Sequence, residues 1–428
     1  MRVSPCQNSW RLPLWLAMIV CLPGLANLAQ ALERESSGLV DVLYAQAWKA
    51  PESGQASAAG LRWHQQFEWY QGNHQAMWVF DLGHNRYAAG QPLYQTKELW
   101  WQYLADNFDI RLGRQLVIWG RADGLAVTDI VSPKDRAEFI AREYQDTRQA
   151  VDALRVRYLT DNSSWELYWL PVPSGDTLPD DKNNPLTGVF KPAIIEFNGQ
   201  SLAAHYMQAK KRKFARHSEL AARASFYFSA LDFSLSFFHG DDREAQWQPQ
   251  LVSVGGKSRL ELTETHSRIN MLGLDLAVPI SEWVIRAEMA AIDGRAFLTG
   301  ENQLTKARQI KLLLGLDWRS GDWMLTAQSL WDCLVKKHSQ HQFQRRSTNR
   351  TLTFSLTRTL LRETLTLDFS ALYQPQSRSS AASFKAEYQY TDNLKLAAGI
   401  QDYTSRSQQG LSALEPWSSV WSKISYSF

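Results

Sequence analysis

From about Gly38 to the C-terminus, apolar and polar residues alternate with a period of two in segments of roughly ten residues. No other feature of the chain limits its fold as tightly. Leu352, Phe354, Leu356 and Leu360 alternate with Thr351, Thr353, Ser355 and Thr357. After a tight turn near Arg362 the pattern resumes, with Leu365, Leu367, Phe369 and Ala371 set against Thr366, Asp368 and Ser370. Phe233, Leu235 and Phe237 interleave with Asp232, Ser234 and Ser236, and Ile310, Leu312, Leu314 and Leu316 with Lys311, Gly315 and Asp317. A helix would put its apolar residues three and four apart. About ten extended residues is the length a tilted strand needs to cross a membrane.

The connections decide between a membrane barrel and a soluble β-protein. Short turns fall near Gln71-Gly72-Asn73, Asp106, Asp161-Asn162, Ala230, Pro279, Ser320-Gly321 and Asp392-Asn393. Between them lie longer stretches at 48–60, 83–92, 120–149, 173–216, 241–256, 294–307, 333–349, 374–380 and 404–418. Outer-membrane barrels alternate short periplasmic turns with long external loops in this way, and a soluble sandwich has no reason to. The fold class is all-β, a transmembrane antiparallel β-barrel of about eighteen strands, with sixteen to twenty as the range. The first strand runs Leu39–Trp48 and the last Ser419–Phe428. This parity leaves 201–208 in an external loop and makes 257–278 one long strand projecting past the membrane.

Residues 1–31 read as a removable secretory signal, and 32–428 as the barrel. Arg2 and Arg11 supply the positive start, Leu12 to Leu28 the apolar core, and Ala29-Gln30-Ala31 the cleavage site, so the mature chain starts at Leu32. Cys6 and Cys21 lie in that segment, which leaves Cys333 alone and no intramolecular disulfide. The formal charge of +3 loses two units with Arg2 and Arg11. A near-neutral chain excludes a nucleic-acid binder, which needs a basic surface. Mean hydropathy is −0.36 although 12% of residues are aromatic, as suits a wall that is apolar outside and polar inside.

The last strand carries its own signature. Val420, Ile424, Tyr426 and Phe428 share one face, with Lys423, Ser425 and Ser427 on the other. A terminal aromatic on such a strand resembles the signal read by the barrel-assembly machinery, so Ile424, Tyr426 and Phe428 are the candidate assembly residues. Trp69, Trp100, Trp101, Trp119, Trp165, Trp283, Trp323 and Trp331 sit near strand ends and read as interfacial girdles. A stack of sugar-binding aromatics in the lumen is the alternative.

Several phrases carry a family resemblance. They are Arg111-Leu-Gly-Arg-Gln115 with Trp119-Gly120, Asp123-Gly124 and 127–133 leading to Asp135, and then Glu219-Leu-Ala-Ala-Arg223 up to His239-Gly240. Arg268 with Met271-Leu-Gly-Leu-Asp275, Trp283, Arg286 and Glu288 follow, then Gly315-Leu-Asp-Trp318 and Gln328. In this order the chain resembles a Gram-negative outer-membrane family of porin-like barrels, a domain of unknown function. The resemblance implies an inward-folded segment near the N-terminal third, and links to envelope exporters and to traffic of hydrophobic molecules.

The segment 120–149 is the most densely charged long connection. Ser132-Pro133 followed by Asp135 reads as a helix start, with Ala137, Phe139 and Ile140 as its apolar face. Folded into a wide barrel, such a segment narrows the lumen and sets up a transverse field, which is how pores select. Arg114, Arg121, Asp123, Asp129, Lys134, Asp135 and Arg136 are the candidate constriction residues. A solvated external loop is the competing reading.

The basic run Lys210–Lys213 with Arg216 and His217 points to lipopolysaccharide phosphates or an anionic solute, against a plain solvated loop. No Gly-x-Ser-x-Gly or His-Glu-x-x-His motif occurs. His338 and His341 are too few ligands for a metal site, so neither enzyme, metal nor cofactor is expected. The expected partners are the lipid bilayer, lipopolysaccharide, the assembly machinery and an envelope exporter. The functional expectation is a channel for a small hydrophobic or amphipathic solute. A non-conducting partner of an exporter or a surface receptor is the alternative, and an outer-membrane hydrolase a weaker one.

Overall fold

A computed structural model describes residues 32–428 except 86–92, 121–123, 126, 139, 141–144, 182–183, 185, 210–213, 336–342 and 407–410. The expected signal, 1–31, lies outside the described residues. The first strands are β1 (Glu33–Ala47), β2 (Ala56–Gln71), β3 (His74–Asn85), β4 (Tyr94–Leu104), β5 (Phe108–Gln115), β6 (Val151–Thr160) and β7 (Ser163–Leu170). Next come β8 (Ile194–Phe197), β9 (Gln200–Met207), β10 (Glu219–Tyr227), β11 (Asp232–Asp241), β12 (Gln246–Val254), β13 (Lys257–Thr265) and β14 (Arg268–Ile280). The rest are β15 (Trp283–Leu298), β16 (Leu304–Ser320), β17 (Trp323–Val335), β18 (Thr348–Leu360), β19 (Leu365–Gln374), β20 (Ser379–Gln389), β21 (Leu394–Ser405) and β22 (Ser419–Ser427).

Eighteen of these form one sheet, and all but β8, β9, β12 and β13 belong to it. Each pairs antiparallel with its neighbour, and β1 closes on β22 from Leu39↔Ser427 to Ala47↔Ser419. Closure satisfies every edge, which a wall in hydrocarbon requires. The eighteen-strand barrel of the sequence reading is therefore found, with β1 starting earlier, at Glu33.

The period of two sorts the wall. On β1 and β22, Asp41, Ala45, Trp421 and Ser425 face inward and are buried, while Val42, Tyr44, Val420, Ile424 and Tyr426 are exposed outside. Of the eight tryptophans assigned to girdles, six lie on the outer face. Trp100 and Trp119 do not: Trp100 is buried inside under the Arg111 guanidinium, 3.7 Å from the ring centroid. Trp119 packs edge-on to Tyr168 inside the barrel. Position along a strand fixes height in the membrane but not the face.

Two segments differ from the sequence reading. The stretch 201–208 is a strand, β9, but it leaves the barrel parity intact because it joins β8, β12 and β13 in a separate four-stranded sheet, with β9 parallel to β13. The stretch 257–278 is two strands, not one. The chain leaves the wall at His266-Ser267, where His266 Nδ1 hydrogen-bonds the Asp242 carbonyl oxygen at 2.7 Å and Ser267 Oγ accepts the Ala296 N–H. Above this break β13 pairs with β12, so 241–256 is mostly strand. Likewise β15 and β16 stay paired out to Leu298↔Leu304, past a bulge at Gly294 (φ 89°), and only 299–303 is loop.

Candidate functional site in the lumen

Inside the barrel, the connection between β5 and β6 lies against the wall and does not stand outside. Val117, Trp119, Val127, Ile130 and Val131 form an apolar core with inward-facing wall residues that include Phe238, Ile269, Met271, Ile292 and Leu313. Thr128 N and Oγ1 donate to Glu288 Oε2 at 3.4 and 3.2 Å. Gly120 (φ 85°) makes this approach possible, because a Cβ there would meet Glu288 Oε1 and Thr128 Oγ1 at 2.8 Å. Further along, Ile140 packs with Ala45, Ala58, Ala397 and Trp421, on the far side of the barrel. Arg62 on β2 reaches Asp146 at 3.2 Å. The segment thus crosses the lumen from the β14–β16 wall to the seam where β1 meets β22.

The middle of the crossing is irregular. Ser132-Pro133 does not start a helix among the described residues. Ser132 Oγ accepts the Val117 N–H, and Asp135 Oδ1 accepts the N–H of Ala137 two residues on, a local turn that competes with helix. Residues 133–135 instead pair with 147–149 as a small ribbon, through Asp135 N to Thr147 O and Gln149 N to Pro133 O. Phe139 lies outside the described residues, and Ala137 and Ile140 are buried.

The candidate constriction residues divide by position. Arg114 shares the outer face of β5 with exposed Leu112 and pairs with Asp152 at 2.9 Å, so it is not in the lumen. Strand parity excludes it, although it precedes the segment by only a few residues. Arg121 and Asp123 lie outside the described residues. Asp129 is buried, held by Arg148 Nη2 at 2.9 Å with both side chains almost fully enclosed. Asp135 is buried in its own turn. Lys134 and Arg136 border a small polar pocket of about 70 Å³ that is open to the lumen, with Arg148, Asp176, Asp242, Arg243, Glu244, Arg295 and Lys311 among its lining.

Most charges there are paired. Arg136 binds Asp176 at 2.8 Å, Arg243 binds Glu219 at 2.7 Å, and Arg295 binds Asp242 at 2.7 Å. Among the described residues, no carboxylate lies within ion-pair distance of Lys134 or of Lys311, the inward-facing residue of β16 opposite Ala290. Burial, reinforced by Arg148, Arg136 and Lys311, brings the Lys134 ammonium down to about 8. Sequence reasoning named Lys134 and Arg136 but missed Lys311, Asp176 and Arg295. Lys311 was readable as the polar member of the Ile310–Leu316 alternation. The run Lys210–Lys213, with His338 and His341, lies outside the described residues.

No family model matches the chain, and no curated protein matches it in sequence. Solved structures do. Pseudomonas aeruginosa OccK8 (OprE) superposes with a TM-score of 0.55 at 11% identity, over 92% of this chain and 98% of that one. Acinetobacter baumannii OccAB4 gives 0.53 at 9% identity, over 94% and 99%. Pseudomonas aeruginosa OpdK with vanillate gives 0.52 at 9% identity, over 92% and 98%. The chain has the closed eighteen-strand fold of these outer-membrane barrels. At such identities the likeness is one of fold.

Proposed function

We propose that this barrel is a solute-selective channel, with its passage set by the segment that crosses the lumen and a preference for small anionic solutes. Two ammonium groups without a carboxylate partner, Lys134 and Lys311, border one pocket, and this observation carries the reading. Arg136, Arg148, Arg243 and Arg295 are matched by Asp176, Asp129, Glu219 and Asp242, and Glu244 offsets one of the two lysines, so a surplus of one positive charge sits where a permeating solute would pass the segment. Lys134 and Arg136 are the constriction residues of this reading, with Lys311 facing them from the wall. Vanillate, the molecule in the OpdK structure, is a small carboxylate, the charge class this reading favours. The lumen-facing charges favour this over the hydrophobic or amphipathic solute expected from the sequence.

Purified, refolded protein in a planar bilayer under a salt gradient tests the proposal. The parent should conduct with a reversal potential on the anion-selective side. Lys134→Gln with Lys311→Gln should move that potential toward cations while single-channel current changes little. A cation-selective parent overturns the anionic reading. A parent that does not conduct at all leaves the alternative, an envelope partner or receptor.

A further inference from the structure

We propose that the outer wall holds one acyl chain of an anionic outer-leaflet glycolipid, lipopolysaccharide, in a groove over Ala222 and Ala224 of β10. The groove, about 520 Å³, is lined mainly by outward-facing apolar side chains. Strand register explains its shape. One rung of the wall reads Val156, Leu167, Ala222, Phe237, Leu272, and the next reads Tyr158, Trp165, Ala224, Leu235. In both, alanine stands at the centre with large residues on either side. The flanking strands β7 and β11 are about 10 Å apart, twice the inter-strand spacing, so truncation at β10 leaves a trough one hydrocarbon chain wide. Phe226 closes its lower end, stacked on Phe233 at 4.9 Å and edge-on to Trp165 at 5.5 Å.

The upper end is open and carries more cationic than anionic side chains, Arg216 and Arg268 against Asp241. His239 lies beside Leu220 one rung above Phe237, and Arg268 stands opposite Asp241 a rung higher, where it also ion-pairs the largely buried Asp241 carboxylate at 3.6 Å. Arg216 is exposed next to them, and Arg268 Nη1 holds the His217 carbonyl oxygen. Six residues of β11 separate the Ala224 rung from the Arg268 rung, about 20 Å along the strand. At a tilt near 40° that is ~15 Å of membrane depth, half the hydrocarbon thickness. A chain with its anionic head at Arg268 and Arg216 therefore ends near the midplane, over Ala224. Since lipid is as apolar as the groove, binding there rests on close packing and on the head charges. The head end faces the external side, where the long connections emerge, which assigns the lipid to the outer leaflet.

The test uses full-length protein extracted from outer membranes in mild detergent and weighed intact by native mass spectrometry. The parent should carry one lipopolysaccharide per barrel. Ala222→Phe with Ala224→Phe fills the trough from outside, and Arg216→Gln with Arg268→Gln removes the head contacts. Each pair should lower the lipid-bound fraction about tenfold at unchanged heat-modifiable migration and conductance. Equal retention in parent and filled variant overturns the site. So does a neutral phospholipid as the retained mass, or a dimer of this chain that the filling dissociates.

Discussion

Between pH 7 and 9, the charge bordering the lumen pocket changes at Lys134. Its ammonium titrates near 8 because burial and three neighbouring cations disfavour the charged form. As pH rises through that value the lysine becomes neutral and the pocket loses positive charge, so the anion-to-cation permeability ratio should fall. Bilayer reversal potentials at pH 7, 8 and 9 measure it. Lys134→Gln should give a flat profile already at the high-pH value, and a variant that keeps the slope means another group titrates. A second single-residue case sits at the last strand. The Phe428 ring fills the space a Cβ on Gly38 would take, while the two backbones exchange hydrogen bonds, Gly38 N to Phe428 O at 2.8 Å and Phe428 N to Gly38 O at 3.0 Å. Deleting Phe428 should lower the folded fraction on heat-modifiable gels. Gly38→Val should act in the same direction but more weakly, because the ring can swing aside. Equal folding in all three would remove the terminal aromatic as an assembly signal. Sequence alone placed Ile424, Tyr426 and Phe428 on one outward face because alternation encodes face. Arg114 was readable as well, since it continues the face of Phe108, Ile110 and Leu112, whereas Trp100 was not, because Trp100 and Trp101 are adjacent and point to opposite faces.

The inward segment is held at the β14–β16 wall, at the β1–β22 seam, and between them where Lys134 N and Arg136 bond Asp176. Apolar Ile269, Met271, Ile292 and Leu313 face inward on β14–β16, where a water-filled lumen would want polar groups. This loss of polarity was present in the sequence and marks where the segment docks. At the dock, Arg148 and Asp129 form an enclosed pair. Arg148→Met leaves the carboxylate buried without its partner, a loss of about 3–5 kcal/mol. The expected result is an assembled barrel whose segment detaches, seen as noisier, larger single-channel openings and protease cleavage within 120–149. Quiet, parent-like traces would mean that the apolar core alone suffices. Replacing 120–149 by a Gly/Ser linker should raise conductance further and reduce selectivity, and parent-like conduction there would place the gate elsewhere. The external sheet was also legible and was missed. Asn198-Gly199 and Gly255-Gly256 are two-residue hairpin turns with positive φ at every position, from 50° to 76°, a signal overridden when parity alone assigned those stretches to loops.

At the scale of the whole barrel, one polar network joins the closing seam to the segment that crosses the lumen. Asp41 on β1 accepts Ser425 Oγ of β22 at 2.5 Å and Arg62 Nη2 of β2 at 2.6 Å, and Arg62 in turn reaches Asp146. Alternation along the chain carries no trace of this network, because these residues are far apart in the chain and meet only once the cylinder closes. Asp41 is almost fully buried, so Asp41→Ala leaves the Ser425 hydroxyl without its acceptor and Arg62 with Asp146 and Asp81 alone, and should cost about 1–3 kcal/mol. Two readouts should move together. The temperature at which the folded band disappears in detergent should fall, because the β1–β22 contact is weakened, and open-channel noise should rise, because Arg62 loses the partner that aims it at Asp146. Ser425→Ala removes only the seam contact and should lower the melting temperature while leaving the noise unchanged. If Asp41→Ala melts early yet conducts as quietly as the parent, seam and segment are independent, and the apolar packing of Ile140 against Trp421 must be what seats the segment on that side.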